Sequence, residues 1–274
     1  MNGTAEADGN ARQRNPFHRP RRRTLSIMAL VCAVAALTLS PISPLSPAHA
    51  ARKNMQYNGG ANGVFTTVPR VYLVYWGPQW GASRDPFQAE AEGFLKGLGT
   101  AGDHWSTIMT QYCSGIPAGK STCPADAPHI PYPDGQVFGG TWFDTSDPGP
   151  KPDYAAEGAA ALNHFQADKN RAIFVLFGPN QNFGGGNGWH SASTGYHLIS
   201  IPSHQHELWV LTHEYAEELT DVDAGWNAPA DSDPFPHAEI GDLCGPGGSV
   251  TMATGTFAVS TLWSNKVGAC VSGE

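Results

Sequence analysis

Three short apolar stretches, each bounded by turn-forming residues, predict β-strands. The first, at 71–76, is rich in β-branched and aromatic residues and stops at Gly77-Pro78. The second, at 172–177, is almost wholly apolar and short enough for a buried strand, and the third spans 196–201.

Apolar residues at helical spacing predict helices between these strands. One helix begins at Asp85-Pro86, a favoured cap and first-turn pair, and another covers 154–165. A third spans 203–222 with Ser203 as its N-cap, and Asp103 caps a short helix through Tyr112. The alternation predicts a mixed α/β domain with a small mixed sheet packed on helices.

Glycine and proline dominate the remaining segments. We expect a loop with one hairpin at 113–140, a Gly/Asn loop at 180–188 and a turn-rich C-terminal third with a short strand at 257–259.

The first 50 residues read as an export leader. An arginine-rich start precedes a short apolar run at 25–39, and Ala48-His49-Ala50 follows as a cleavage site. A loose twin-arginine pattern occurs at 22–25, and the alternative is an uncleaved membrane anchor. We therefore predict a signal peptide at 1–50, a flexible arm at 51–67 and one globular domain at 68–274.

Charge and cysteine content also favour export. The leader holds six of the 16 basic and two of the 24 acidic residues, which leaves a net charge of −12 on the remaining chain and disfavours nucleic acid as a partner. Four cysteines remain outside the leader, and no zinc-type Cys spacing occurs. Of three possible pairings we favour Cys113–Cys123 and Cys244–Cys270.

The helix at 203–222 carries the clearest chemical motif, His213-Glu214-x-x-Glu217. An apolar stripe at steps of three and four leaves His213 and Glu217 on the opposite side, one turn apart, where both can chelate one ion. In H-E-x-x-H metalloproteases the residue equivalent to Glu214 is the general base that takes a proton from water. The alternative is an ordinary solvated, charged helix face.

Glu217 stands where those enzymes have a second histidine. A carboxylate still binds zinc, but it makes calcium a second possible ion. For the third ligand we favour Glu239, with Asp223, Asp242 and His190 as possible substitutes. The strand that precedes the helix supplies the order that a zincin-like domain requires.

Other candidates are weaker. His204 and His206 fit surface or capping contacts better than a metal, and three histidines fit structural roles, namely His104, His164 and His197. No G-x-S-x-G occurs, so an elbow serine hydrolase has no support. Six tryptophans fit either the core or a platform for sugar rings, namely Trp76, Trp80, Trp142, Trp189, Trp226 and Trp263.

Several blocks of the chain resemble the phosphate-induced, EXORDIUM-like family of plants and its secreted bacterial relatives. The likeness is strongest at 213–217, at Thr220-Asp221, at Trp226 and at 239–244, and it extends to 75–77, 111–113 and 263–265 with Cys270. Val222 departs from it, since proline is expected there. The resemblance implies an extracellular, cell-wall-associated protein and supplies no established reaction.

The sequence thus predicts a secreted, metal-dependent hydrolase of zincin-like fold, acting on a peptide. His213, Glu217 and Glu239 hold zinc while Glu214 activates water. One alternative is a non-catalytic extracellular module that binds a cell-wall polymer or a partner and in which a metal, or the carboxylates alone, orders the loop at 220–244. A third hypothesis is carbohydrate binding through exposed tryptophans.

Overall fold

The computed structural model describes residues 53–80, 86–178, 187–202 and 207–274. The predicted signal peptide, the Asp85 and Ser203 caps, His204, His206 and most of the loop at 180–188 lie outside these residues. The strands are β1 (Gln56–Tyr57), β2 (Arg70–Trp76), β3 (Phe138–Asp144), β4 (Ala172–Gly178), β5 (Trp189–Ser191), β6 (His197–Pro202), β7 (Trp226–Asn227), β8 (Gly245–Met252), β9 (Gly255–Ser264) and β10 (Ala269–Val271). The helices are α1 (Pro86–Gly97), α2 (Tyr154–Phe165) and α3 (Leu208–Thr220).

A five-stranded mixed sheet, in the order β3-β2-β4-β6-β5, lies at the centre of the fold. The first four strands are parallel, and β5 runs antiparallel to β6 at one edge. All seven residues of β4 are buried, because both faces of the sheet are covered. One face contributes Leu73, Val175 and Ile199 to the main core, and the other packs Phe174 and Leu176 against α2. The predicted mixed α/β architecture is confirmed.

The helices form close to where their periodicity predicts them. α2 begins at Asp153, whose side chain accepts a hydrogen bond from the Ala156 N–H at 3.0 Å. α3 is shorter than the predicted 203–222 and contacts β5, β6 and β9. The short helix after Asp103 is a 3-10 helix at Ser106–Gln111, and Asp103 does accept a hydrogen bond from the Ser106 N–H at 3.0 Å.

Two predicted loop regions contain more strand than expected. β3 begins inside the loop predicted at 113–140 and continues to Asp144. It is an edge strand of the sheet, and its glycines are untypical of a strand. The C-terminal third holds a long β8–β9 hairpin with β10 added antiparallel to β9, instead of one short strand. In β8 the buried positions alternate at Gly248, Val250 and Met252, but Gly-Pro-Gly-Gly at its start obscures that pattern.

The predicted flexible arm is wrong for residues 53–67. β1 pairs antiparallel with β7, and apolar residues on either side of the glycines enter the core, namely Met55, Tyr57, Val64 and Phe65. The Asn265 side chain secures this segment: its Oδ1 accepts from the Met55 N–H at 2.8 Å and its Nδ2 donates to the Met55 carbonyl at 2.8 Å. The same amide donates to the Ser121 carbonyl at 3.0 Å.

Both expected disulfides are present. Cys113–Cys123 closes the proline-rich loop, and Cys244–Cys270 joins the start of β8 to β10. None of the described helices is long and apolar enough to cross a bilayer.

Candidate metal centre

α3 is buried on almost every side. Its predicted apolar stripe packs into the core, with Leu211 and Tyr215 fully buried. On the other side Glu214, Glu217 and Glu218 are 6%, 3% and 0% exposed. A solvated, charged helix face is therefore excluded, and these carboxylates require partners within the fold.

His213, Glu217 and Asp242 form one group of potential metal ligands. The His213 Nε2 lies 3.1 Å from the Glu217 Oε1 and 3.3 Å from the Asp242 Oδ1. The backbone N–H of Asp242 donates to the same Glu217 oxygen at 3.2 Å. These contacts hold the loop before Cys244 against the side of α3 that carries His213 and Glu217.

His190, Glu217 and Glu239 form a second group that shares Glu217 with the first. In each group the ligand atoms lie within 4.8 Å of one another, a spread that one ion can span. β5 supplies His190, whose Nε2 lies 3.2 Å from the Glu239 Oε2. An edge strand and a loop thus meet over the same glutamate.

Glu218 orients the histidine of the second group. Its carboxylate is fully buried and lies 3.3 Å from the Nδ1 of His190 and 2.6 Å from the Nδ1 of His197. A carboxylate on the far nitrogen of an imidazole fixes the ring so that the other nitrogen faces the ion. Sequence reasoning missed Glu218, although its position next to Glu217 turns it toward the preceding strands. His197 is structural, as predicted.

Glu214 lines the same cavity, which has a volume of about 570 Å³, together with His190, His213 and Glu217. Its side chain makes no hydrogen bond or ion pair with any residue that the structure describes. Gly188 opposes it so closely that a Cβ added there would lie 2.7 Å from the Glu214 Oε1. A buried carboxylate is therefore free to act inside the cavity.

The predicted ligand set is divided between the two groups. Glu217 belongs to both, His213 joins Asp242, and Glu239 joins His190. Asp223 is exposed and lines a different cavity. A third group, Cys113, Cys123 and His129, has both thiols in a disulfide and is not available to a metal.

The cavity is lined by several carboxylates, which shift the pKa values of its ionisable groups. Burial, with the charge of Glu217 beside it, raises the pKa of Glu214 to about 8. Burial alone would lower the pKa of His213, but hydrogen bonds to Asp242 and Glu217 raise it to about 10. The same balance of burial against Glu218 and Glu239 raises the pKa of His190. The carboxylates around each imidazole thus stabilise a positive charge at that place in the cavity.

Four of the six tryptophans in question belong to the core, namely Trp76, Trp80, Trp226 and Trp263. Trp189 is half-buried at the rim of the cavity, together with Trp209. Trp142 is half-buried and stacks on His164 with ring centroids 4.3 Å apart.

Comparison with protein-family models, with curated proteins and with solved structures finds no match for this chain. The resemblance to the EXORDIUM-like family stays a prediction, and the geometry of the cavity carries the functional argument.

Proposed function

We propose that this protein is a secreted, zinc-dependent hydrolase of zincin-like fold that cleaves peptides. His213 and Glu217 on α3 hold the ion, with His190, Glu239 and Asp242 completing its surroundings. The donor set of imidazole nitrogens and carboxylate oxygens suits zinc, whereas calcium prefers six to eight oxygen ligands. Zinc bound there would supply a Lewis acid that polarises a carbonyl and makes water more acidic.

The observation that carries this proposal is the unpartnered Glu214 carboxylate, next along the chain to His213 and inside the same cavity. A general base must be able to contact the reacting water, so it cannot be held in a structural ion pair. Its pKa must also lie near the working pH. Glu214 meets the first condition, and the positive charge of a bound ion would lower its pKa from the value of about 8 that burial gives it. It accepts a proton from water as the water attacks and returns that proton to the leaving group.

An extended peptide is the substrate that the rim of the cavity fits best. β5 is the edge strand of the sheet, and its residues Trp189 and His190 line the cavity together with Gly188. A peptide that lies along this rim would pass across Glu214. The half-buried Trp189 and Trp209 at the rim would contact its side chains.

The proposal is tested by assaying the purified protein and its Glu214→Gln variant against a peptide library with zinc present. We expect hydrolysis by the wild type and a loss of at least 100-fold in the variant, with the zinc content unchanged. His213→Ala should lose both zinc and hydrolysis. Full hydrolysis by Glu214→Gln would remove Glu214 from the mechanism.

A second candidate function is a non-catalytic extracellular module in which the metal only orders structure. It is favoured by the position of Glu239 and Asp242 on a turn-rich loop that ends at the Cys244 disulfide. This alternative expects a chelator to lower the melting temperature without any peptide hydrolysis before chelation. An unchanged melting temperature in chelator would count against it.

Export supports either function. The two disulfides suit an oxidising compartment, and the leader predicted at 1–50 supplies the route. Mass spectrometry of the protein recovered from culture medium should give a mass that corresponds to an N-terminus at Ala51.

A further inference from the structure

The two potential ligand groups have the same composition and share one residue. Each consists of one histidine and two carboxylates, and Glu217 belongs to both. His190 and Glu239 reach Glu217 from β5 and the loop at 239–242, while His213 and Asp242 reach it from α3 and the end of that loop. Two ions held in this way would have a common bridging carboxylate.

The charges in the cavity call for more than one cation. Four carboxylates line it, namely Glu214, Glu217, Glu239 and Asp242, and no lysine or arginine is among the described residues of its lining. When His190 and His213 are neutral ligands, one divalent ion leaves two of these negative charges without a balance. Two divalent ions would balance all four negative charges.

The surrounding residues support both halves of the pair. The buried Glu218 fixes His190 through its Nδ1, and the Asp242 N–H fixes the Glu217 Oε1 at 3.2 Å. Gly241 brings the loop within van der Waals range of both His213 and Glu217, where a side chain would clash. The unpartnered Glu214, 6% exposed, faces the cavity between these ligands and is an independent indication that cations belong there.

We infer that the cavity holds a dinuclear metal centre in which Glu217 bridges one ion bound by His190 and Glu239 and a second bound by His213 and Asp242. This inference rests on the proposed function, because it concerns the same cavity. Two ions about 3.5–4 Å apart stabilise both the attacking and the leaving oxygens of a hydrolysis. It also gives a role to the glutamate that replaces the second histidine of the helix motif, since a carboxylate offers two oxygens to two ions whereas a neutral imidazole offers one nitrogen.

The test is the zinc content of the purified full chain, measured by elemental mass spectrometry after equilibration with zinc and removal of the excess. We expect about two ions per chain in the wild type. Asp242→Asn and Glu239→Gln should each lose one ion while retaining the other, and Glu217→Gln should lose both. Asp223→Asn, which removes an exposed carboxylate outside both groups, is the matched control and should keep two.

Melting temperatures establish that each variant folds. If a variant fails to fold, electron paramagnetic resonance of the manganese-loaded wild type decides instead, because two ions bridged by one carboxylate give a magnetically coupled spectrum. Isolated manganese ions in that spectrum would overturn the dinuclear centre.

The outcomes separate this inference from the proposed function. One zinc per wild-type chain, with peptide hydrolysis that needs Glu214, would overturn the dinuclear centre and leave the hydrolase intact. Two zinc ions without hydrolysis of any peptide would support the centre and count against the hydrolase. No zinc in the wild type would overturn both.

Discussion

Gly241 lies directly against the ring of His213: a Cβ added to Gly241 would stand 2.6 Å from the His213 Nδ1 and 2.9 Å from the Glu217 Oε1. The buried Nδ1 has no hydrogen-bond partner among the described residues, so the approach of the backbone is what fills the space beside it. Only a residue without a side chain allows the loop to lie this close to the helix motif.

Gly241→Ala should therefore weaken zinc binding. The added methyl group displaces His213 or the loop, and we expect a loss of about 10–100-fold in affinity, the size seen when the support of a ligand is removed. Isothermal titration with zinc measures it. Gly178→Ala is the control, because its Cβ would meet its nearest atom at an ordinary 3.5 Å. Equal affinities for Gly241→Ala and wild type would show that the close approach does not position the ligands.

Gly188→Ala should impair hydrolysis without removing the metal. Its Cβ would push the Glu214 carboxylate, the mobile end of a side chain, away from its place in the cavity. A misplaced general base costs on the order of 100-fold in rate. Zinc content and melting temperature should stay close to those of the wild type. A rate equal to that of the wild type would mean that Glu214 does not act from its observed position.

Glu218→Gln should reduce zinc affinity by about 10–100-fold, because the neutral amide orients His190 less strongly than the carboxylate does. If the centre is dinuclear, only the ion on the His190 side should weaken, so that the titration separates into a tight and a weak step. Glu90→Gln, at an exposed position of α1, serves as the control for charge removal. A single unchanged step would contradict the role given to Glu218.

Periodicity was enough to predict α3 and the side of it that enters the core. It could not show that the opposite side is also buried, because β5 and the loop at 239–242 reach that side from distant parts of the chain. For the same reason the sequence could indicate His190, Glu239 and Asp242 as candidate ligands but not which of the two groups each belongs to. Glycines in β3 and β8 concealed both strands, whose stability depends on neighbouring strands more than on intrinsic preference.

The change in the stability of the protein between about pH 4.5 and 7 should depend on Glu157, a buried residue of α2. Burial, with a smaller contribution from the charge of Asp144, raises the pKa of Glu157 from 4.5 to about 7. The folded state therefore holds a proton that the unfolded state releases above pH 4.5. The free energy of unfolding is highest below that pH and declines as the pH rises toward 7.

Glu157→Gln should remove that decline, because the amide stays neutral at every pH. Relative to wild type, we expect the variant to gain about 1–2 kcal/mol above pH 7, after allowance for solvent screening, and nothing near pH 4. Urea unfolding at several pH values measures the difference, with exposed Glu90→Gln as the control. A difference that does not vary with pH would contradict the predicted titration.

Removal of the Cys244–Cys270 disulfide should affect both stability and metal binding. A 26-residue separation predicts a loss of about 3 kcal/mol from the free energy of unfolding. The loop that carries Glu239 and Asp242 ends at Cys244, so zinc affinity should fall as well. The Cys113–Cys123 disulfide is the control, since its removal should destabilise the fold without changing zinc affinity. An unchanged zinc affinity after removal of Cys244–Cys270, with a lower affinity after removal of Cys113–Cys123, would show that the Cys244–Cys270 disulfide does not position the ligands.

The amide of Asn265 has a mechanical consequence. Its contacts with the Met55 backbone, the Ser121 carbonyl and the Trp263 indole, whose Nε1 donates to it at 3.0 Å, join three segments of the chain at one side chain. Tension applied to the chain before residue 55 would be passed through this amide straight to the β9–β10 hairpin, so both ends of the described chain should yield together in a single rupture event.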